Sequence, residues 1–149
     1  MIHELEKMCL DANFDRKRAI EIIKQIDVNQ EFVSSEYNFK TVLLDFAAKW
    51  ANVPMVELLL GNGADPNHVY ANGTENVLWH LQYSRNDKDK NETRLHIVKL
   101  LLENGANPHL QCEGFDLLDW ANFYWGAEDE GVQYEYRWKF ICLLEDFER

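Results

Sequence analysis

The chain has 149 residues, 46% of them hydrophobic and 13% aromatic, which suffices for the core of one domain and is too apolar for a disordered polymer. Its 26 acidic residues outweigh 15 basic ones, and the net charge of −11 excludes nucleic acid as the main partner, because phosphate contacts need a positive surface. No apolar run is long enough to cross a bilayer, the first residues lack the basic and then apolar sections of a secretory signal, and Cys9, Cys112 and Cys142 lie far apart, so the expectation is a cytoplasmic chain with reduced thiols and no membrane partner.

In chain order, residues 5–10 read as a first helix. Asp15-Arg16-Lys17-Arg18, the one basic cluster, reads as the solvated start of a second, marked by Ala19, Ile20, Ile22 and Ile23 and followed by Asp27-Val28-Asn29. Residues 42–48 open a second pair of helices, with Thr41 at the capping position. Met55, Val56, Leu59 and Leu60 then form one apolar stripe at helical spacing. Gly63 stands where that helix should stop in left-handed geometry, and Pro66 pushes Asp65 out of the helical region.

A third pair begins at residues 77–81, behind Asn76 as cap. After a polar stretch, residues 86–94, the run Ile97-Val98-Lys99-Leu100-Leu101-Leu102-Glu103-Asn104-Gly105-Ala106-Asn107-Pro108-His109 repeats residues 55–67 almost word for word, at an offset of 105 − 63 = 42. Residues 116–121 open a fourth pair, with Asp116 as cap. An irregular acidic stretch follows at 126–133, and residues 136–147 close the chain with Phe140, Ile141, Leu143 and Leu144 apolar. A stripe on one such helix cannot be buried by its own pair, so neighbouring copies must cover it.

Val56-Glu57-Leu58-Leu59-Leu60-Gly61-Asn62-Gly63-Ala64-Asp65-Pro66-Asn67 and its copy ending at His109 resemble the second half of an ankyrin repeat. The resemblance implies a fold class: an all-α solenoid of four helix-turn-helix repeats, at about 1–29, 38–67, 73–109 and 114–149, in a single domain. The ankyrin period of about 33 residues leaves 42 − 33 = 9 positions to an insertion, and residues 86–94 are expected to form it as a loop between the helices of the third repeat. The family histidine that ties adjacent hairpins is His80 in the third repeat and is replaced by Asp45 and Asp119 in the second and fourth.

Catalytic chemistry is not expected. Asp87-Lys88-Asp89-Lys90-Asn91 imitates the start of a calcium loop, but the sixth position is Glu92 where Gly is needed and the twelfth is Val98 where Glu is needed. His3, His68, His80, His96 and His109 show no zinc spacing with the cysteines. Phosphate-loop and serine-elbow motifs are missing, so no metal, no cofactor and no enzyme activity is assigned.

The resemblance turns attention to surface aromatic residues. Trp50 and Tyr124 occupy corresponding positions, which in the family face the concave groove, while Trp79 and Trp120 sit at stripe positions and belong to the core. Phe123 and Trp125 flank Tyr124, Tyr70 lies in a turn, and Tyr83 follows the third first helix. These aromatic side chains, rimmed by Glu31, Glu36, Glu75, Glu113 and Asp116, are the candidate partner-binding residues. The reading is a monomeric module that captures and neutralises a basic protein partner, such as a toxin or nuclease, in the manner of an immunity protein. The alternatives are a scaffold or secreted effector that bridges two proteins, and an enzyme using acidic residues with His80.

Overall fold

A computed structural model describes residues 1–70, 77–81, 88–112, 114–124 and 132–148; of residues 88, 89, 112, 122–124, 132–134 and 148 only the backbone is described. The described residues form eight helices and four two-residue strands, in two compact units that divide after Pro66.

The first unit carries α1 (Ile2–Met8), α2 (Arg16–Ile23), β1 (Phe32–Val33), β2 (Lys40–Thr41), α3 (Leu43–Lys49) and α4 (Val53–Gly61). Asp15 starts α2 by accepting the Arg18 amide at 3.2 Å. α1 packs on α2 and on α3, and α3 packs on α4, around Leu5, Ile22, Leu43, Phe46, Met55 and Leu59. The buried Asn52 is the joint of this unit. Its Oδ1 caps α4 through the Met55 amide at 3.1 Å, and its Nδ2 reaches the carbonyls of Met8, Cys9 and Asp11 at 3.0–3.3 Å, where α1 has run out of amides. Burial, reinforced by the Glu6 charge, pushes the neighbouring Cys9 thiol far up, so this cysteine stays a neutral core residue.

The second unit carries α5 (Val77–Leu81), α6 (Lys88–Glu103), β3 (Gln111–Cys112), β4 (Phe115–Asp116), α7 (Leu117–Tyr124) and α8 (Val132–Glu148). α8 packs on α6 and α7 around Ile97, Leu101, Leu117, Phe140 and Leu144. Tyr136 fastens α8 to α5 by donating its buried hydroxyl to the Leu81 carbonyl. Burial raises the Tyr136 phenol, against a smaller pull from Arg94, and keeps it the neutral donor this bond needs.

The two near-identical segments end in the same hydrogen-bonded stop. Gly63 and Gly105 are left-handed, with φ of 92° and 96°. Behind them Ala64 and Ala106 donate to Leu59 and Leu101 at 3.0 and 2.9 Å, the Schellman pattern that satisfies the last helix carbonyls. Asn62 and Asn104 donate back to Leu58 and Leu100 at 2.7 and 2.8 Å.

An asparagine then clasps each stop from a distance. In the first unit Asn29 donates to the Gly63 carbonyl at 3.0 Å and accepts from the Asp65 amide at 2.7 Å. In the second, Asn67 donates to the Gly105 carbonyl at 2.9 Å and accepts from the Asn107 amide at 2.7 Å. One primary amide thus reads a carbonyl and an N–H two residues apart, which a carboxylate or a hydroxyl of the same reach cannot do as well.

Three expectations need correction. The fold is not purely helices and turns: the fingers between successive helix pairs carry short antiparallel ladders, β1 with β2 and β3 with β4. Residues 88–94 are not a loop but the first two turns of α6, since Lys-Asp-Lys-Asn-Glu-Thr-Arg holds no Gly or Pro. Asn91 and Arg94 are buried there, and Glu92 pairs with Lys139 at 2.9 Å. A helix at Lys88–Glu103 is also incompatible with a calcium loop over the same residues. Thr41 does not cap α3: the N-cap is Val42, which offers no side-chain acceptor, and Thr41 is buried in β2 with its hydroxyl on the Val42 carbonyl. Asp116 does cap α7, through the Leu118 and Asp119 amides at 2.9 and 3.3 Å, whereas Asn76 and the stretch 126–131 lie outside the described residues.

Replacing Asn29 or Asn67 by Ala should cost about 1–2 kcal/mol in denaturant unfolding, and Asp at either position should not restore it, because the donor to the glycine carbonyl is gone. Ala51 is left-handed without being glycine, at φ 55°, in the same stop pattern at the end of α3. Ala51→Gly should therefore raise the unfolding midpoint, by about 1 kcal/mol.

Candidate functional site

The β1–β2 finger of the first unit presents the most exposed cluster of aromatic side chains in that unit. Its loop is built around Ser34. The Ser34 amide donates to the Phe39 carbonyl at 2.8 Å, and the Asn38 amide donates to the Ser34 carbonyl at 3.0 Å. The Ser34 hydroxyl oxygen accepts from the amides of Glu36 and Tyr37 at 3.3 and 3.1 Å. Asn38 takes the left-handed position, with φ 54°, that turns the chain back.

This loop is pinned to α1 by Glu6, whose side chain is fully buried. The Glu6 carboxylate accepts from the Ser34 hydroxyl, from the Ser35 amide at 3.2 Å and hydroxyl at 3.0 Å, and shares a 2.9 Å contact with His3 Nδ1. Burial alone would push this carboxyl up. The four bonds, His3 first, more than reverse that and bring it down to about 2. The anchor is consequently an anion across the whole neutral range.

Four aromatic rings rise from the core through this anchored loop. Phe46 on α3 is the buried floor, Phe39 and Trp50 are half-buried, and Tyr37 is 46% exposed. Tyr37 lies 5.2 Å from Trp50, 6.2 Å from Phe39 and 6.2 Å from Phe46, centroid to centroid. Lys49 places its ammonium 4.2 Å from the Phe39 centroid. The Trp50 indole N–H is buried and donates to no atom among the described residues.

Trp50 is thus the sequence candidate that the structure places in a cluster. Glu36 is exposed beside Tyr37, and Glu31 lies 3.9 Å from Lys40 across the base of the finger. Tyr70 is 6% exposed with its ring edge-on to His68, so it offers no open face. Asp116 is committed at home, with one oxygen on the α7 amides and the other 2.8 Å from His109 Nδ1. Tyr83, Trp125, Glu75 and Glu113 lie outside the described residues, as do the side chains of Phe123 and Tyr124 on α7. Sequence reasoning missed Tyr37 and Phe39; their one signal is an aromatic pair straddling Asn38, a residue suited to left-handed turns.

The second unit has a ring patch of its own. Phe115 on β4 is exposed and lies 4.9 Å from Trp120, which in turn lies 5.9 Å from the buried Trp79. Trp79 is in the core as its stripe position requires, whereas Trp120 is only half-buried. Among the described residues no group of His, Cys, Asp and Glu could hold a metal ion, and no helix is long and apolar enough to cross a membrane.

Glu6 gives the finger a pH dependence. Because its folded-state pKa is depressed, its stabilisation is present above about pH 4.5 and is lost as pH falls from there towards about 2. Glu6→Gln should cost about 2 kcal/mol at neutral pH and flatten the loss of stability in that acid window, as read from urea midpoints between pH 7 and 2.

No curated protein matches the chain at a significant level. The family model for the ankyrin repeat matches residues 39–71, a span that runs from the end of the finger through the Gly63 stop. Ankyrin repeats are typically non-enzymatic modules for binding other proteins, and residues 39–71 are similar to one.

Proposed function

We propose that this chain captures a basic protein and blocks it by steric and electrostatic cover, with no bond made or broken, as an immunity or inhibitor protein does. The observation that carries the reading is the Tyr37–Phe39–Trp50 cluster, half-open on a rigidly pinned finger of a chain with net charge −11. Half-exposed Trp and Tyr side chains anchor protein interfaces, and each costs about 2 kcal/mol or more when truncated at a hot spot. The acidic balance supplies the complement: an attractive field raises association about 10-fold to 1000-fold for a partner of opposite sign. Glu36 and Glu31 stand on the same finger, close enough in sequence to rim the cluster.

A second reading, a bridge between two proteins, draws on the separate Phe115–Trp120 patch of the second unit. The two readings differ in how contacts divide. Under capture, Trp50→Ala abolishes binding while Phe115→Ala spares it; under bridging, each variant loses a different partner.

The experiment is a pull-down with the full chain, identification of what is retained, and association kinetics with the purified partner. Retained proteins should be basic, and the association rate should fall about 10-fold or more from low to high salt. Indifference to salt would remove the basic partner. Unchanged affinity of the Trp50→Ala chain would remove the finger as the contact.

A further inference from the structure

Resting on that reading, we propose that Tyr37 and Trp50, with Glu36 beside them, form the seat for one arginine side chain of the basic partner. The occupant is set by what the cluster already does and what it lacks. Aromatic faces here attract cations: Lys49 has folded back so that its ammonium lies 4.2 Å from the Phe39 centroid. The neighbouring pair, Tyr37 and Trp50, stands 5.2 Å apart with ring planes 32° from parallel, and nearly half of Tyr37 is open to solvent. A planar guanidinium stacks on such a pair better than a compact ammonium does, and it is more weakly hydrated.

Charge selects the same occupant. The exposed carboxylate of Glu36 adjoins Tyr37 in the chain and supplies the counter-charge, whereas an anionic group would meet the field of a −11 chain.

The backbone adds an independent sign. The non-glycine residues with positive φ among the described residues are Asn38 and Ala51. Asn38 sits between Tyr37 and Phe39, and Ala51 directly follows Trp50. Left-handed conformations at non-glycine residues are retained where surrounding structure over-determines them, and such places cluster at ligand clamps and active sites. Both residues adjoin rings of the same cluster in the chain, Asn38 in the finger loop and Ala51 in the stop of α3.

The test uses a hexa-arginine peptide as probe, with hexalysine and the uncharged isostere hexacitrulline as controls. Indole N–H signals of the full chain are followed by NMR, the Trp50 signal being assigned with Trp50→Phe. The expected result is a shift of the Trp50 signal on titration with hexa-arginine, weaker binding of hexalysine, and none of hexacitrulline. Tyr37→Leu should weaken hexa-arginine by about fivefold, Tyr37→Phe should restore it, and Glu36→Gln should weaken it about twofold while reducing its salt dependence. If hexa-arginine binds while the Trp50 signal stands still, or with unchanged affinity for Tyr37→Leu, the seat is wrong and the basic-partner reading survives. If hexa-arginine does not bind at all, both fall. Loss of folding in Tyr37→Leu would leave the wild-type Trp50 shift as the deciding measurement.

Discussion

A helix that ends in water leaves carbonyls without partners, and in this protein the way those carbonyls are satisfied sets what can follow. At Gly63 and Gly105 the chain turns left-handed, the last carbonyls are closed by Ala64 and Ala106, and the glycine carbonyl is left pointing out of the turn. Asn29 and Asn67 each take that carbonyl together with an amide two residues on. The clasp works only if the glycine is left-handed, if the proline-bearing turn is extended, and if the asparagine sits at its own turn in the same geometry. Asp27 closes the turn of Asn29 by accepting its amide at 3.0 Å, and Asn107 does the same for His109 at 2.9 Å in the third copy. Each stop is therefore both the end of a helix and the grip for a distant turn.

Much of this was legible in the chain. The repeated segment, its stripe and its glycine stop could be read because they depend on local periodicity and on one residue's backbone freedom. Asn29 and Asn67 were visible as echoes of one another, but their role was not. A side chain reaching 34 to 40 positions along the chain has no local signature. Residues 88–94 differ from the loop expected there because polarity alone does not imply irregularity: Lys, Glu and Arg are good helix formers, and α8 offers Lys139 as a partner for Glu92. Thr41 had the right chemistry for a cap and the wrong register by one residue, because β2 claims it first.

The candidate contact surface was half legible. Trp50 could be singled out by its place in the repeat. Tyr37 could not, since its exposure depends on how Ser34, Asn38 and the buried Glu6 shape the finger. Glu6 shows how an acidic protein can use a carboxylate structurally: with four bonds to it the ion is cheaper to bury than its neutral form would be, and the finger it fixes carries the open rings. The charged group in contact with those rings is Lys49, over Phe39, while Glu36 adjoins Tyr37 in the chain and is exposed.

The third copy of the clasping position breaks the pattern in an instructive way. Where the first two copies have Asn29 and Asn67, the third has His109, which turns to Asp116 Oδ2 at 2.8 Å, and Asp116 in turn holds the start of α7. The side chain that in the earlier copies reaches forward to the next glycine stop here reaches the cap of the helix directly behind it, so the third copy ties its finger to α7 where the first two grip a turn far along the chain.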